Sequence, residues 1–305
     1  MHNSSKDQLW LSYLKITILK MKLKLARIKH RCLLLVILLN GSAFSACASQ
    51  DSVVYQTLSS GKNLVQVSKY TFQGKQQSFI VLHDNERTGF NAALKYCRNY
   101  GGTIYKIENN QQRFLMFAFE QKRFMFDPNQ IFNKMALSLN ASKLNKCKPV
   151  KSFLDSTSGF ATNLLKIFKI DSAKCVITLH NNTDGAFSIL DYLPGHILSS
   201  IAKEVYFRPG TDPDDFLLVT EKPFFDYLSA HEINVILQDS MAPTDGSLSI
   251  YAQLNRMPYI NIEIQHGHED IHYKYIELVS KMLDELGYNE NDEFAPQEKS
   301  SVHEG

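Results

Sequence analysis

Several features that define other protein classes are scarce or missing in this chain. Cysteine occurs only five times in 305 residues, and no two cysteines have the C-x-x-C spacing of a structural zinc site. The apolar run from Cys32 to Leu39 is too short to span a bilayer as a helix. No internal repeat is visible, which argues against a repeat architecture.

The first 48 residues follow the three-part pattern of a secretory signal. A basic region (22–31) precedes the apolar run, and small residues lead to Ala46-Cys47-Ala48, which fits an A-x-A cleavage site. Phe44-Ser45-Ala46-Cys47 is also an imperfect lipoprotein box, and a retained membrane anchor is a further interpretation. We therefore expect a periplasmic or secreted protein that contacts the membrane only if Cys47 is lipidated.

The charge balance changes once this segment is set aside. Residues 1–48 contain eight of the 33 Lys and Arg residues but only one of the 31 acidic residues, which leaves 25 basic and 30 acidic residues. A net charge of −5 gives no electrostatic footprint for nucleic acid. Two of the remaining cysteines (Cys97, Cys147 and Cys175) could pair in an oxidising compartment, and the sequence leaves the pairing open.

Apolar runs and amphipathic segments alternate along the rest of the chain. The pattern predicts strands at 78–82, 103–107, 175–179, 216–219, 234–238 and 259–264, and helices at 89–100, 153–169, 223–230 and 269–286. Residues 49–75 favour an edge hairpin or entry strand, and residues 109–119 a strand-turn-strand. Alternation of this kind is typical of an α/β fold with a mixed central sheet flanked by helices. We expect a single domain over 49–288 and a disordered tail over 289–305.

A candidate metal set follows from the ends of two predicted strands. His83 and Glu86 come directly after the apolar run 79–82, and His180 closes the strand 94 residues beyond Glu86. In α/β sheets, ligands bind at the carboxyl edge of the strands. Hydrolytic zinc requires three protein ligands and one open position, and two imidazoles with one carboxylate are such a set. The sequence therefore predicts that His83, Glu86 and His180 bind a metal ion, with Zn²⁺ as the expected one, although the same ligand set also suits other divalent ions.

A separate carboxylate is the expected general acid/base. Glu263 lies in the otherwise apolar strand Tyr259-Ile260-Asn261-Ile262-Glu263, where a solitary carboxylate is costly unless it faces a site. Such a group would take a proton from a zinc-activated water and deliver it to a leaving amine.

Four ordered motifs resemble the zinc carboxypeptidase superfamily, within it the branch of succinylglutamate desuccinylase and aspartoacylase. They are His83-Asp84-Asn85-Glu86-Arg87-Thr88, Asp127-Pro128-Asn129-Gln130, Thr178-Leu179-His180 and the strand-borne Glu263. The resemblance implies a zinc carboxypeptidase-like (phosphorylase/hydrolase-like) fold and hydrolysis of an amide or peptide bond beside a carboxylate. It implies the same zinc ligands, Glu263 as general acid/base, and Asn129 holding the substrate carboxylate.

One position departs from the family pattern. Gln130 replaces the family arginine, and glutamine can hydrogen-bond a carboxylate but cannot neutralise it. Arg87, next to the expected metal ligands, and Arg123, expected in the same loop as Asn129, are the candidates to replace that charge; Arg208 and Arg256 are further options. The expected substrate is a peptide, such as a cell-wall peptide, or an acylated amino acid. The missing arginine favours the alternative, a catalytically silent binding protein that keeps the fold; a structural lipoprotein without metal is a third possibility.

Each candidate also has a simpler structural interpretation. His83 and Glu86 are compatible with a solvated loop pair, His180 with a hydrogen-bonded strand end, and Glu263 with an edge residue facing water. Asn129 fits a plain Asp-Pro-Asn turn. The cluster His266-Gly267-His268 is either a second metal site or part of the surface or pocket rim.

Overall fold

Nine strands form one mixed sheet in the computed structural model, which describes residues 51–288. The sheet order is β1-β2-β4-β3-β7-β11-β9-β10-β8. Its strands are β1 (Ser52–Ser60), β2 (Asn63–Phe72), β3 (Ser78–Val81), β4 (Gly102–Glu108), β7 (Val176–Asn182), β8 (Ala202–Tyr206), β9 (Phe216–Val219), β10 (Val235–Gln238) and β11 (Tyr259–Gln265). A separate antiparallel hairpin consists of β5 (Leu115–Phe119) and β6 (Lys122–Phe126).

Helices cover both faces of the sheet. They are α1 (Arg87–Tyr100), α2 (Lys134–Asn145), α3 (Lys151–Ile167), α4 (Lys222–Ala230), α5 (Leu248–Leu254) and α6 (Glu269–Glu285), with 3₁₀ turns at Ile170–Ser172 and Ile189–Tyr192. Helix α1 buries Ala92, Ala93, Tyr96 and Cys97 at helical spacing. It ends at Gly101, whose φ of 88° suits glycine. A Cβ at Gly101 would also lie 2.4 Å from the carbonyl oxygen of Gln73.

Successive apolar side chains of the strands point to opposite faces of the sheet and so form two apolar cores. Phe79 and Val81 of β3 pack with α1, α4 and α6 on one face. Ile80 packs on the other face with α2, α3, α5 and the β5–β6 hairpin. Because successive side chains of a strand point to opposite faces, a short fully apolar strand serves both cores. The fold is therefore the α/β class with a mixed sheet flanked by helices that the sequence predicts.

The strand order places a crevice at the carboxyl ends of β3 and β7. Strand β3 pairs in parallel with β4 on one side and with β7 on the other, and β7 pairs in parallel with β11. The chain therefore continues to opposite sides of β3 after successive strands. Such a reversal opens a crevice outside the carboxyl ends, where ligands of open α/β sheets bind. His83 and His180 lie at this edge.

Most sequence-predicted elements are confirmed within about three residues, and the differences are informative. The segment 109–119 is a turn followed by one strand, because the partner of β5 is β6. Helix α2 escaped prediction because its apolar residues do not keep to one face, and Asn133 caps it by accepting a hydrogen bond from the Ala136 amide. Strand β8 and helix α5 were also not predicted. The described cysteines Cys97, Cys147 and Cys175 are all free.

The predictions for the signal segment and the tail fall on residues outside 51–288. Within the described range, no helix is long and apolar enough to cross a membrane.

Candidate functional site

The loop after β3 brings His83 and Glu86 to one point. The backbone amide of Glu86 donates to the carbonyl of His83 over 3.1 Å, which closes a tight turn, and Glu86 is the residue that precedes α1. The backbone amide of Gly89 in the first turn of α1 donates to the Asn181 side chain at 3.1 Å, so the helix start is tied to β7. Both side chains are buried, with His83 0% and Glu86 2% exposed. They are therefore not a solvated loop pair.

His180 and Glu263 are direct partners in the register of β7 and β11. Their side chains project from the same face of the sheet, since equivalent positions of paired strands point the same way. His180 is 4% and Glu263 6% exposed. Pairing of two strands distant in sequence thus sets the carboxylate beside the histidine.

Three side chains of metal-ligand type converge between the loop after β3 and strand β7. His83 Nδ1 lies 2.8 Å from Glu86 Oε1 and 3.2 Å from His180 Nδ1, and His180 Nδ1 lies 2.9 Å from Glu86 Oε2. Tetrahedral zinc with ligand distances of about 2.0–2.1 Å separates its ligands by roughly 3.3 Å. The two histidine nitrogens match this spacing, and a shift of a few tenths of an ångström brings the carboxylate to it. The donor set therefore fits a divalent metal ion, and the residues could hold one.

Electrostatics at this point favour a cation. Burial lowers the pKa of His83, but the charges and hydrogen bonds of Glu86 and Asp127 outweigh it and raise the pKa to about 9. Burial raises the pKa of Glu86, yet the neighbouring His83 and His180 hold it well below its usual range. This negative field stabilises either a proton or a metal ion at His83 Nδ1.

Asp127 orients His83 from the far side of the ring. Its Oδ1 lies 2.7 Å from His83 Nε2 and also accepts a hydrogen bond from the backbone N–H of Asn129 at 2.8 Å. A carboxylate on the second nitrogen fixes the ring and its tautomer, as in carboxylate–histidine–zinc arrangements. In the sequence, Asp127 is recognisable only as part of the Asp127-Pro128-Asn129-Gln130 motif, without a role of its own.

Glu263 faces the same cavity with a pKa near neutrality. Burial and the Glu86 charge raise its pKa to about 7, against the lowering effect of His180, Asn261 and Arg113. Asn261 Nδ2 donates to Glu263 Oε2 at 3.2 Å. A carboxyl group with this pKa can accept and release a proton near pH 7.

These groups open into a cavity of about 610 Å³. Amides, hydroxyls and aromatic side chains form most of its wall, together with one guanidinium. The lining includes Glu86, Arg113, Asn129, Gln130, His180, Asn181, Phe187, Tyr192, Ser247, Tyr259, Asn261 and Glu263. This mixture suits a small polar ligand whose orientation is fixed by hydrogen bonds.

Arg113 is the functional candidate that sequence analysis missed. Its Nη1 lies 2.6 Å from Glu86 Oε1, its Nη2 3.5 Å from Asp127 Oδ2, and the side chain is 40% exposed. The topology of the sheet could have indicated it. Strand β4 runs parallel to β3, so the polar turn after β4 lies at the same edge of the sheet as His83. Arg113 is at the end of that turn.

The candidate substrate residues separate into two groups. Asn129 and Gln130 line the cavity, although Asn129 Oδ1 already accepts a hydrogen bond from the Leu248 amide at 3.1 Å. The structure does not bring Arg123 to the cavity, because Phe124 and Phe126 of β6 point into the core and Arg123 therefore points to solvent. Arg87 lines a different groove.

The two remaining arginine options also lie elsewhere. Arg208 pairs with Glu232 at 3.1 Å, and neither it nor Arg256 lines the cavity. Within residues 51–288, Arg113 is the arginine that lines the cavity.

Two other histidines, His268 and His272, lie outside the group formed by His83, Glu86 and His180. His268 Nδ1 lies 3.0 Å from Asp215 Oδ2, and Asp212 is close enough for the three to form a second group of metal-ligand type. His272 of α6 is fully buried, and neither ring nitrogen has a hydrogen-bond partner. Burial lowers the pKa of His272 to about 3, so it is neutral at ordinary pH.

No protein-family model and no curated protein sequence matches this chain. Among solved structures, it is similar to a succinylglutamate desuccinylase/aspartoacylase from Rhodobacter sphaeroides over 82% of this chain and 68% of that one, with 12% identity and a TM-score of 0.33. Epoxide hydrolase A from Mycobacterium thermoresistibile matches with 77% coverage of each chain, 10% identity and a TM-score of 0.19. Both TM-scores are low, so neither structure indicates the chemistry of this site.

Proposed function

We propose that the protein is an exported zinc-dependent hydrolase that cleaves an amide or peptide bond in a peptide or an acylated amino acid. The observation that carries this proposal is the placement of His83 Nδ1, Glu86 and His180 Nδ1 within 3.2 Å of one another. Of these three residues, Glu86 and His180 line the same cavity as the buried Glu263. Two imidazoles and a carboxylate leave tetrahedral zinc one position for water or substrate.

Zinc bound at these residues would supply a Lewis acid for the substrate carbonyl and lower the pKa of a coordinated water. Glu263 has the location and the pKa, about 7, to take the water proton and deliver it to the leaving nitrogen. Its unprotonated form acts first as the base, and its protonated form then acts as the acid.

Arg113 is proposed to bind negative charge on the substrate. A guanidinium has five N–H donors, and the contacts with Glu86 and Asp127 leave others for a carboxylate or a developing oxyanion in the cavity. Asn129 and Gln130 add hydrogen-bonding groups to the same wall. The positive charge of Arg113 thus compensates for the absence of an arginine at position 130. The uncharged Gln130 is therefore a weaker argument for a catalytically silent binding protein.

Metal content tests the first half of the proposal. Plasma mass spectrometry of the purified protein should find about one zinc per chain, the stoichiometry of a single three-ligand site. His180→Ala should lose most of the metal, whereas His196→Ala, an exposed histidine outside the site, should keep it. Absence of zinc from the parent after reconstitution would rule out the proposed hydrolase.

Turnover tests the second half. Peptide fragments and N-acyl amino acids should be hydrolysed by the zinc-loaded parent, and Glu263→Gln should keep zinc but lose hydrolysis. A zinc-containing parent that hydrolyses none of them would favour the binding protein.

Export is tested by N-terminal sequencing of the cell-derived protein. We expect cleavage after Ala48, and Cys47→Ser should not alter it unless Cys47 is lipidated.

A further inference from the structure

A second groove, of about 720 Å³, lies beside the loop that follows β3 and carries His83 and Glu86. We call this segment (83–86) the metal-ligand loop. Tyr55, Tyr70 and Phe90 provide aromatic surface, and the ring centroids of Tyr70 and Phe90 are 5.2 Å apart. Most of the remaining lining is polar and includes Asp84, Arg87, Lys106, Glu108 and Gln111. The groove therefore offers flat apolar surfaces together with hydrogen-bonding groups.

Two short segments form the ridge between this groove and the cavity with Glu263. In the loop after β3, Asp84 and Arg87 line the groove, whereas the two residues between them line the cavity. In the turn after β4, Gln111 lines the groove and Arg113 the cavity. A ligand that extends from one to the other must therefore cross the metal-ligand loop.

The ridge is held together by Asp84. Its Oδ2 accepts hydrogen bonds from the backbone amides of Asn109 at 2.5 Å and Gln111 at 2.9 Å. These bonds keep the turn in place although Asn110 and Gln111 have φ of 50° and 58°, in the left-handed region that non-glycine residues rarely adopt. Strained, over-determined backbone of this kind occurs preferentially where a ligand binds.

The exposed charge in the groove belongs to Arg87. Lys106 pairs with Asp84 and lies 2.5 Å from Glu108 Oε2, so the two acidic side chains are engaged. Ser68 also donates to Glu108, over 2.5 Å. Arg87 is exposed, and its guanidinium makes no ion pair or hydrogen bond within residues 51–288.

We propose that this groove binds the acyl-side extension of a peptide substrate and that Arg87 pairs with a carboxylate on that extension. The inference rests on the proposed hydrolase, because Glu263 and Arg113 assign the other cavity to the leaving, carboxylate-bearing side of the scissile bond. The substrate is then an acidic peptide that extends over the ridge, and a single acylated amino acid leaves the groove unfilled. Arg87 is suited to this contact because a guanidinium binds a carboxylate through two parallel hydrogen bonds.

Calorimetry with paired probes tests the inference. The zinc-loaded Glu263→Gln protein is titrated with acetyl-Glu-Glu-Ala-Ala and with acetyl-Gln-Gln-Ala-Ala, which differ only in the acyl-side charges. The glutamate probe should bind about fivefold more tightly, the size expected of a partly exposed charge pair. Adding Arg87→Ala should remove this preference.

Arg98→Ala provides the matched control, since Arg98 is an exposed arginine on the same helix and does not line the groove. This variant should keep the preference, and thermal melting checks that both variants fold. Equal binding of the two probes, binding of neither, or an unchanged preference in Arg87→Ala overturns the inference. Failure of the proposed hydrolase is seen separately, as a missing zinc ion or as no hydrolysis of the glutamate probe by protein that retains Glu263.

Discussion

His83 uses its two ring nitrogens for different contacts: Nδ1 faces Glu86 and His180, and Nε2 lies 2.7 Å from Asp127 Oδ1. Asp127 is therefore placed to fix the ring orientation and to make Nδ1 a better ligand. Its carboxylate is itself held by the Asn129 amide and by Arg113. The geometry of the candidate metal set thus depends on a residue that is not one of the three proposed ligands.

Replacing Asp127 should weaken metal binding without abolishing it. For Asp127→Ala we expect zinc affinity to fall by about 10- to 100-fold, the usual effect of losing a partner of a histidine ligand. Competition with a chromophoric chelator measures the affinity. Asp155→Ala, in an exposed ion-pair cluster on α3, should bind zinc like the parent. Unchanged affinity in Asp127→Ala would show that the His83–Asp127 contact does not support the site.

Arg113 should affect turnover more than metal content. For Arg113→Ala we expect kcat/KM on a hydrolysed peptide to fall by about 100-fold, the typical cost of removing one donor to a developing charge. Arg113→Lys should restore only part of the loss, because an ammonium cannot form the same planar contacts. Plasma mass spectrometry should still find zinc.

The control is Arg123→Ala, because Arg123 was a sequence candidate that the structure places on the solvent side of β6. Its kinetic constants should equal those of the parent. An equal loss in both variants would mean that general charge, and not the position of Arg113, supports hydrolysis.

Local patterns in the sequence were sufficient to predict most strands of the sheet and the convergence of His83, Glu86 and His180. Short apolar runs predict the strands, and the polar residues directly after them, His83 and His180, fall at the ligand-binding edge by topology alone. The pairing of His180 with Glu263 depends in addition on β7 and β11 being neighbouring parallel strands in this register, which no local pattern specifies.

Arg113 and Arg87 could not be placed in this way. Arg113 lies in an irregular turn between β4 and β5, where no periodicity fixes the direction of a side chain. Arg87 follows Glu86 directly, but the backbone turns so that the two side chains line different cavities. Proximity in sequence therefore suggested Arg87 and Arg123 for a role that Arg113 is better placed to fill.

His272 should make the fold sensitive to acid. Its pKa is about 3 in the folded protein against 6.5 ordinarily, so below pH 6.5 the unfolded chain binds a proton that the folded chain does not. Stability from this residue is therefore complete above pH 6.5 and is lost as the pH falls toward 3. Between pH 7 and pH 4.5 the loss should be on the order of 3 kcal/mol.

Urea unfolding of the metal-free protein at both pH values measures this loss. His272→Leu, which cannot be protonated, should lose about 3 kcal/mol less than the parent over the same interval. The difference between the two proteins isolates His272 from the carboxylates, which both share. Parallel pH dependence in parent and variant would contradict the assignment.

Two glycines in helices should respond in opposite ways to alanine. A Cβ at Gly89 in the first turn of α1 would lie 2.8 Å from His272 Cε1 and 3.0 Å from Leu179 Cβ, whereas a Cβ at Gly159 in α3 would have no atom within 4 Å. Gly159→Ala should stabilise the fold by about 0.5–1 kcal/mol, because alanine loses less backbone entropy in a helix. Gly89→Ala should instead destabilise it by about 1–3 kcal/mol through overpacking.

Chemical denaturation of both variants measures this contrast, and zinc titration extends it to the site. Gly89 follows Glu86 by three residues, and its amide ties α1 to Asn181, so a shift of the helix start moves Glu86, a proposed metal ligand. We therefore expect weaker zinc binding in Gly89→Ala and parent-like binding in Gly159→Ala. Stabilisation of both variants would contradict the prediction, because it would mean that His272 of α6 moves aside for a Cβ at position 89 without cost. The position of Glu86 would then have to be maintained by Arg113, His83 and His180 alone.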